Sequence, residues 1–562
     1  MTSVAALKAE GNTLFLAKNY LEAEKKYTAA IEASDAVDLR GLAVLHANRS
    51  ACRLSLKRYL DAKVDATKAT ELDPNYAKAH ARLATAQDQL GCPQKSKASW
   101  QNALDALPKT NLTAAEETQK TQYAAGLKAA MSANARMENT AHYIPQADPR
   151  GRGGTPFIWQ GHGRMPWELA APIVARFRTQ GATPDDIRSS ACVIHAAYEN
   201  FMNGINKMNQ LTPIQSTPGA MGGILGAVVD LTNGVMRDPR VMHLPDGDFI
   251  SKYNKQITFE ATARRAWTDG GPEVIVREAL ARQRTEGWDT TRPALSVTIR
   301  AWIMRAMLSS GIHQQHKVAV EFYRNCLTAI RTLRDHWILE SSQNRGVIFD
   351  QSFVFGIQGL YLNAMMQSFD KSDVTSPQAV LGDLFKEAQD LVRDIEEALR
   401  QPRPPKTVDP GFVSSFFIYP KAKAFAMQGF YYNALALRCS ADDPESGILF
   451  RKSAQQYLIA AESYPEDDEH HPGFLNVALE KMLSARTFPL SETLEVMKKI
   501  RLSVPKAKKI WERSALGAAG VWDRCDRVAR QEQELRDAIT AGRFTLDACV
   551  GMEVEAEDSG ST

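Results

Sequence analysis

Apolar, small and polar positions recur with one period through the first part of the chain. Copies of the pattern start at Val4, Ala43 and Ala77, and each contains two amphipathic segments separated by a tight turn. Early in each second segment a small residue recurs, followed by a pair of bulky or small residues at fixed offsets. These positions are Ala23, Tyr27 and Ala30, then Ala62, Ala66 and Ala69, then Ser96, Trp100 and Ala103. Each copy is therefore predicted to form a pair of α-helices.

Small residues and prolines mark where these helices cross and end. Gly11 and Ser50 provide the small side chain needed at a close crossing of two helices, and Pro74 and Pro108 stand where a helix must stop. The first copy has about five extra residues around 34–38, at its closing turn. A helix-turn-helix unit of about 34 residues with these features predicts a tetratricopeptide-like array of three repeats.

A further helix and a change of composition end the N-terminal region. Tyr123, Leu127 and Met131 recur at four-residue spacing and predict a helix that caps the apolar edge of the array. The segment 138–165 is rich in Gly, Pro and Arg and is predicted to be a linker. We therefore predict an all-α protein whose first domain, 1–137, is a three-repeat tetratricopeptide superhelix with a capping helix.

Helical periodicity also dominates the rest of the chain. Apolar residues at three- and four-residue spacing predict helices over 171–179, 187–210, 293–307, 318–337 and 383–400. No further motif identifies the kind of domain that the earlier of these helices form. The segment 166–317 is accordingly predicted to be a helical region of unknown type.

An internal repeat is present nearer the C-terminus. IQGLYLNAMM at 357–366 and MQGFYYNALA at 427–436 share a QG pair, an aromatic residue and an NA pair at identical offsets, and each is followed by a second helix. GFLNVALEKM at 473–482 is a degenerate third copy. The pattern predicts a divergent helical-repeat region over 318–545, although two amphipathic helices can also look alike by chance. The acidic end, 546–562, is predicted to be disordered.

Composition and charge narrow the class of protein. The 562 residues are 44% hydrophobic and 24% charged, as in globular proteins, and the net charge of +3 argues against a dedicated nucleic-acid-binding protein. Seven cysteines are scattered singly, a distribution that suggests neither a disulfide framework nor a zinc site and fits a reducing compartment. No uncharged stretch approaches the length of a membrane span. We therefore predict a cytoplasmic protein with no membrane or nucleic-acid partner.

Motifs for catalysis or metal binding are weak. His313 and His316 are three apart on a predicted helix, and His470 and His471 follow a run of acids, but neither pair has a convincing third ligand. The glycines of 217–234 lack both the GK[ST] of a phosphate loop and the GxGxxG of a dinucleotide turn, so close helix packing explains them better. No GxSxG elbow, HExxH or kinase signature occurs. We predict no catalytic residue, no metal site and no cofactor.

Five polar residues on the first helices of the repeats form the strongest candidate site: Lys8, Asn12, Asn48, Lys78 and Arg82. Lys8 with Asn12, and Lys78 with Arg82, are four residues apart, so each pair projects from one face of its helix. The first helices of successive tetratricopeptide repeats line the concave surface, which predicts one groove for all five. Lys and Arg give charge-assisted hydrogen bonds to a carboxylate, and the Asn amides add neutral donors. A solvated helix face would explain any one of these residues, but less readily all five.

The segments KAEGN (8–12), NRSA (48–51) and KAHAR (78–82) resemble the carboxylate clamp of the chaperone-organising family of tetratricopeptide co-chaperones. All five clamp positions match by residue type, and the resemblance covers roughly the first quarter of the chain. It implies binding of the acidic C-terminal tail, Glu-Glu-Val-Asp, of the seventy- and ninety-kilodalton heat-shock chaperones.

From this resemblance we expect a non-catalytic co-chaperone or adaptor. The repeats would bind the chaperone tail, and the helical C-terminal body would bind a second, unidentified protein partner. The alternative is an enzyme with an unrecognised helical catalytic domain within 166–545, recruited to chaperones by the repeats.

Overall fold

The structure is a computed structural model that describes residues 3–34, 38–142, 164–181, 183, 187–215, 220–369, 377–401, 409, 411–440, 443–549 and 551. For residues 136–142, 377 and 378 it describes the backbone alone. The chain divides into two compact units. The first comprises Met1–Ile144 and Glu260–Gly346, and the second comprises Pro145–Phe259 and Val347–Thr562.

The described residues are predominantly α-helical, which confirms the predicted all-α fold class. The N-terminal helices are α1 Val4–Leu16, α2 Tyr20–Glu32, α3 Leu39–Ser55, α4 Tyr59–Leu72, α5 Ala77–Gln89, α6 Pro93–Asp105 and α7 Ala114–His142. The next helices are α8 Pro166–Gln180, α9 Ser190–Met208, α10 Ala227–Arg237, α11 Phe249–Arg264, α12 Pro272–Glu286, α13 Trp288–Gly311, α14 His316–His336 and α15 Ser342–Arg345. The last helices are α16 Gln351–Ser368, α17 Pro377–Arg400, α18 Tyr419–Ala436, α19 Pro444–Ser463, α20 His470–Ala485, α21 Leu490–Trp511, α22 Ala515–Ala518 and α23 Val521–Thr540.

Extended structure in the described residues is confined to short pieces. Thr212–Pro213 pairs antiparallel with Met221–Gly222, a hairpin that the sequence analysis did not predict. An isolated antiparallel bridge joins Pro489 to Cys549. None of the helices in the described part of the chain combines the length and the apolarity needed to cross a bilayer. The cytoplasmic location stays a prediction.

The helix pairs α1–α2, α3–α4 and α5–α6 pack through the predicted repeat positions. Ala62 and Ser96 are fully buried. Gly11 of α1 approaches α2 so closely that a Cβ atom there would lie 2.8 Å from the Tyr27 ring. The Ser50 hydroxyl of α3 donates to the Ala62 carbonyl oxygen of α4 at 2.9 Å. The three-repeat array is therefore confirmed, with close crossings at the small residues that the sequence marked.

The capping helix α7 packs on the last repeat as predicted, but Met131 is more exposed to solvent than predicted. A Cβ atom at Gly126 would lie 2.6 Å from the Trp100 ring, so α7 approaches α6 closely. Tyr123 and Ala130 are buried, whereas Met131 is 50% exposed. The prediction that Met131 faces the array was wrong because strict four-residue spacing drifts off a helix face. Steps of three and four residues, here 123, 126 and 130, follow the 3.6-residue period.

Residues 269–273 attach to α3 and α4 within the first unit, at a place we call the junction. Three polar contacts form it: Gly271 N to Asp61 Oδ1 at 3.1 Å, Arg53 NH2 to Glu273 Oε2 at 2.7 Å, and Lys63 Nζ to Asp269 Oδ1 at 2.9 Å. A Cβ atom at Gly271 would overlap the Asp61 carboxylate, so the close approach requires glycine. The Arg305 guanidinium of α13 also donates to the Gly91 carbonyl oxygen, at 3.1 Å.

The compact units cut across the predicted domain ranges. The ranges 1–137, 166–317 and 318–545 follow the order of the sequence, whereas residues 260–346 pack with the N-terminal repeats. Local periodicity carries no information about such a long-range contact, which explains the difference. As descriptions of sequence segments, the ranges stay predictions.

Close helix packing organises the first part of the second unit. A Cβ atom at Gly234 of α10 would lie 2.9 Å from the Ala197 carbonyl oxygen of α9, and one at Gly204 would lie 2.7 Å from Leu231. Gly226 has a left-handed backbone, with φ of 92°, at the N-cap of α10. These contacts agree with the packing role that the sequence predicted for the glycines of 217–234, as far as that segment is described.

The internal repeat of the second unit contains one close crossing and one looser one. A Cβ atom at Gly429 of α18 would lie 2.8 Å from the Tyr457 ring of α19, and the Ser453 hydroxyl donates to the Gly429 carbonyl oxygen at 2.8 Å. This arrangement repeats the contact of Gly11 with Tyr27. The equivalent Gly359 of α16 has its nearest neighbour, Pro420, at 3.5 Å from the Cβ position, which is ordinary contact.

Most of the predicted linker and most of the predicted tail lie outside the described residues. The predicted linker, 138–165, is described only where α7 ends and at residues 164 and 165. The predicted tail begins too early at residue 546, because Leu490 N donates to the Ala548 carbonyl oxygen and Ser491 N donates to that of Leu546, each at 2.9 Å. Residues 552–562 lie outside the described part of the chain.

Candidate functional site

The five predicted site residues lie on the first helices of the three repeats. Lys8 and Asn12 are on α1, Asn48 is on α3, and Lys78 and Arg82 are on α5. Asn12 and Lys78 are exposed, and the other three are partly buried. Because helix capping and repeat packing fix these helices, the backbone positions of the five residues are set by the core of the first unit.

A chain of hydrogen bonds joins three of the five residues across the repeats. Arg82 NH1 donates to Asn48 Oδ1 at 3.3 Å, and Asn48 Nδ2 donates to Asn12 Oδ1 at 3.4 Å. The Tyr27 hydroxyl donates to the same Asn12 Oδ1 at 2.7 Å. The structure therefore brings Asn12, Asn48 and Arg82 together. It places Lys8 and Lys78 on the same helices, one turn from Asn12 and Arg82.

Among the residues that the structure describes, no carboxylate neutralises the charges of this group. Within the described residues, neither Lys8 nor Lys78 forms an ion pair, and the Arg82 guanidinium donates to the neutral amide of Asn48. Burial lowers the pKa of the Arg82 guanidinium, and the nearby Tyr76, Tyr123 and Tyr27 oppose this effect. An arginine nevertheless keeps its proton at neutral pH. The group thus has three cationic side chains and two amide NH2 groups available to an anion.

Such a set of donors suits a ligand that presents acceptors only. A carboxylate has two oxygens with about four lone-pair sites, so it can take bonds from several converging donors. Bonds from Lys and Arg to a carboxylate are charge-assisted and stronger than bonds between neutral groups. Two neighbouring carboxylates, such as a chain terminus beside an acidic side chain, would use more of this donor set than one carboxylate could.

Sequence reasoning missed the role of Tyr27 in this arrangement. The repeat pattern assigned Tyr27 to helix packing, and its ring is 2% exposed beneath Gly11. Its hydroxyl nevertheless reaches the candidate site. The sequence offers no distinguishing signal. Ala66 and Trp100 stand at the corresponding positions of the other two repeats, and helix packing alone explains a tyrosine at such a position.

Three of the four histidines noted in the sequence contact protein groups through a ring nitrogen. His470 Nδ1 lies 2.9 Å from Asp468 Oδ1, and His471 Nδ1 lies 2.9 Å from the Ala461 carbonyl oxygen. His316 Nδ1 lies 2.8 Å from the Ser310 hydroxyl. Burial lowers the pKa of His313. Over the residues that the structure describes, no group of three or more His, Cys, Asp or Glu side chains is arranged to hold a metal ion.

A charged cluster near His470 is buried in the second unit. Arg240 pairs with Asp238 at 2.6 Å, with Asp468 at 2.8 Å and with Glu469 at 3.2 Å. Its guanidinium also lies 3.7 Å from the centre of the Trp511 ring. Asp468 and Glu469, two of the acids that precede His470, are thus buried ion-pair partners of Arg240. This structural role explains their presence in the sequence.

A cavity of about 290 Å³ lies in the second unit between α8 and α9. Its walls include Phe177, Arg178, His195, Glu199, Arg237 and Asp409. Arg237 is paired with Asp409, and Arg178 lies 3.4 Å from Glu199. Burial lowers the pKa of His195, although Glu199 opposes this effect. The charged side chains that line the cavity are therefore paired with one another.

Comparison with known proteins locates the resemblance in part of the chain. No family model matches the sequence. The chain is 35% identical over 119 residues to Heat shock protein STI1 of Saccharomyces cerevisiae, a match that covers 21% of this chain and 20% of that protein. It is 41% identical over 98 residues to the Heat shock protein sti1 homolog of Schizosaccharomyces pombe, covering 17% of this chain and 16% of that protein. It is 38% identical over 97 residues to the Hsp70-Hsp90 organizing protein of Triticum aestivum, with the same coverage of 17% and 16%.

Solved structures give a weaker likeness. The myosin chaperone UNC-45 from C. elegans, in complex with a Hsp90 peptide, aligns with 90% of this chain and 53% of that chain at 14% identity and a TM-score of 0.27. A TM-score this low does not establish a shared fold. The chain spans a fifth or less of the length of the three curated relatives above. The sequence matches nonetheless confirm the resemblance to tetratricopeptide co-chaperones over about a fifth of this chain.

Proposed function

We propose that the protein is a non-catalytic co-chaperone or adaptor that binds the acidic C-terminal tail of heat-shock chaperones of the seventy- and ninety-kilodalton classes. Lys8, Asn12, Asn48, Lys78 and Arg82 would hold the terminal carboxylate and the neighbouring Asp side chain. The observation that carries the proposal is the convergence of Asn12, Asn48 and Arg82 through hydrogen bonds across three repeats.

Two further observations support this proposal. The cationic residues of the group have no carboxylate partner among the described residues, so an acidic ligand would not have to displace one. One of the matched relatives is an Hsp70-Hsp90 organizing protein. Its name refers to the two chaperone classes whose acidic tails the donor set suits. Binding should weaken with rising salt, since the screening length falls to about 10 Å at 0.1 M.

The test is calorimetric titration of the whole chain with a synthetic peptide that ends in Glu-Glu-Val-Asp. We expect micromolar binding, about 8 kcal/mol, and near loss of binding when the peptide C-terminus is amidated. Lys78→Ala and Arg82→Ala should each cost roughly 1.5–3 kcal/mol of binding, the range for a hydrogen bond to a charged group. Their melting temperatures should change little, because neither side chain fills a core position.

The matched control is Lys68→Ala, which removes an exposed lysine from α4, where Lys68 pairs with Glu71 at 3.2 Å. This variant should bind the peptide as the wild type does. If Arg82→Ala retained wild-type affinity, or if the amidated peptide bound as tightly as the free acid, chaperone docking at this group would be abandoned.

The second, unidentified partner is assigned in this proposal to the helical C-terminal body. The alternative of a catalytic domain within 166–545 rests on the cavity beside His195. The charged residues that the structure describes at this cavity are paired with one another and leave no charged group free for a reaction. The adaptor function therefore accounts for the described residues with fewer assumptions than a catalytic function. If a small-molecule screen by thermal shift found a ligand whose effect His195→Ala abolished, the cavity would be a binding site and the alternative would gain its first support.

A further inference from the structure

The direction of the hydrogen bonds in the candidate site is fixed by Arg82. A guanidinium has five N–H donors and no acceptor, so the Asn48 atom that faces Arg82 must be its oxygen. The Asn48 NH2 group then faces Asn12, at 3.4 Å, and must donate. Asn12 therefore presents its oxygen to Asn48. Chemistry thus settles an amide orientation that atomic positions alone would leave open.

Tyr27 supports the same orientation from the other side. The Asn48 side chain also gives Tyr27 a hydrogen bond, and because this bond uses the hydroxyl oxygen as its acceptor, the Tyr27 proton is left for Asn12 Oδ1. The Tyr27 hydroxyl lies 2.7 Å from Asn12 Oδ1, the shortest bond of the chain from Arg82 to Tyr27. Burial raises the pKa of Tyr27 to about 12, so the hydroxyl keeps its proton at neutral pH and can donate. The ring is packed against Gly11, so closely that a Cβ atom added at Gly11 would lie 2.8 Å from it. This packing restrains the ring.

We infer that Tyr27 is a positioning residue that makes the groove a site for acceptor-only ligands. With the Asn12 oxygen held by Tyr27 and Asn48, the Asn12 NH2 group lies outside these bonds and is left for the ligand. These five side chains, Lys8, Asn12, Asn48, Lys78 and Arg82, then present only donors to the ligand. The ligand class is a peptide terminus whose end presents two ionised carboxylates, which accept hydrogen bonds and donate none. This inference rests on the proposed function and specifies how the site would select its ligand.

Without the Tyr27 hydroxyl, Asn12 would lose the shorter of the two bonds that hold its oxygen. Only the 3.4 Å bond from Asn48 would remain, so the amide would turn by half a rotation more readily. Its oxygen would then face the groove, where it repels a carboxylate and accepts a bond from the NH2 group of an amidated peptide. Removing one hydrogen bond between uncharged groups corresponds to roughly a threefold to tenfold change in an equilibrium constant. Selectivity for free acid over amide should therefore narrow, which a purely structural role of Tyr27 would not cause.

The experiment titrates the whole chain with the Glu-Glu-Val-Asp peptide as free acid and as amide. Tyr27→Phe keeps the ring and removes the hydroxyl alone. We expect it to weaken free-acid binding roughly threefold to tenfold and to lower the ratio of free-acid to amide affinity. In an Asn12→Ala background the same change should have no further effect. Tyr20→Phe is the matched control, because it removes a tyrosine hydroxyl from the same helix, α2, and should leave both affinities unchanged.

The outcomes separate this inference from the proposed function. If the wild type binds the free acid and Tyr27→Phe shows the wild-type ratio, Tyr27 is not a positioning residue and the proposed function survives. A Tyr27→Phe effect that persists in the Asn12→Ala background would equally overturn the inference. If the wild type does not bind the free acid, both fail. Melting curves of every variant check that an affinity loss is not a loss of fold.

Discussion

At the scale of single residues, a cluster of charges behind α3 sets how the first unit responds to pH. Its centre is buried, and Arg58 and Glu273 at its edge are partly exposed to solvent. Three arginines and four carboxylates meet there: Arg49, Arg53, Arg58, Glu24, Asp61, Asp65 and Glu273. Two of the carboxylates shift in opposite directions. Burial raises the pKa of Asp61 to about 6, whereas hydrogen bonds from His46 and Arg49 overcome burial and lower that of Asp65 to about 2.

Asp61 should make the protein less stable as pH rises toward neutrality. A carboxyl group whose folded pKa exceeds its unfolded value stabilises the fold at low pH, and this contribution is lost as pH rises through the folded pKa. The difference between 3.8 and about 6 corresponds to on the order of 3 kcal/mol. Asp61→Asn keeps an acceptor for Gly271 N–H and removes the titration. We expect its melting temperature, relative to the wild type, to rise between pH 5 and pH 7.

Thermal melts of the whole chain at pH 5, 6 and 7 check this expectation. Glu71→Gln serves as the control, because it removes an exposed carboxylate from the same helix. A constant difference for Asp61→Asn would show that Asp61 is already ionised throughout this range.

At the scale of secondary-structure elements, glycine sets how closely paired helices approach. Gly11 against Tyr27 and Gly429 against Tyr457 are the same contact in the two units, a glycine of the first helix beneath a tyrosine ring of the second. The QG repeat made Gly359 look equivalent to Gly429. The structure separates them, because Pro420 beside Gly359 lies at an ordinary contact distance.

Alanine at the two equivalent glycines should therefore have opposite effects. Gly429→Ala places a Cβ atom 2.8 Å from the Tyr457 ring and should destabilise the second unit by about 1–3 kcal/mol, the cost of overpacking. Gly359→Ala meets its nearest neighbour at 3.5 Å and should stabilise by about 0.5–1 kcal/mol, since alanine loses less chain entropy in a helix. Chemical unfolding of the whole chain compares the two directly. Equal effects of the two substitutions would mean that helix propensity, and not the closeness of the helix crossing, determines the change in stability.

The elements themselves could largely be predicted from the sequence, because the contacts of a helix pair join residues close in the chain. Gly11 and Tyr27 are sixteen positions apart in sequence, and Ser50 and Ala62 are twelve. The residue types of the candidate site could likewise be found by spacing. The hydroxyl of Tyr27 could not, since a packing position explains tyrosine fully until the side chain of Asn12 is seen beside it.

At the scale of the whole molecule, the compact units could not be predicted, because the contacts that define the first one are remote in sequence. Asp61 and Gly271 are 210 positions apart, and no periodic pattern links them. The same contact means that residues 1–137 are only part of a compact unit. Binding measurements are accordingly better made on the whole chain than on the isolated repeats.

Breaking the junction should loosen α3 and α4. Gly271→Ala would force its Cβ atom against the Asp61 carboxylate, so the backbone at 269–273 must shift and its bond to Asp61 lengthen. We expect faster amide hydrogen exchange across α3 and α4 in this variant, because local openings there would cost less free energy. Gly247→Ala is the control, since its Cβ position has no neighbour within 4 Å. Unchanged exchange in α3 and α4 would show that the junction contributes no local stability.

The distance along the chain between the two sides of the junction also has a consequence for synthesis. At roughly 5–20 residues per second, the ribosome needs on the order of 10–40 s to pass from Asp61 to Gly271. The helix pairs of the repeats need only neighbouring sequence, and the five polar residues of the candidate site are complete once α5 has emerged. A nascent chain would thus display its proposed chaperone-binding groove well before Asp61 and Arg53 meet Gly271 and Glu273, so the protein could recruit a chaperone while its own remaining helices are still being made.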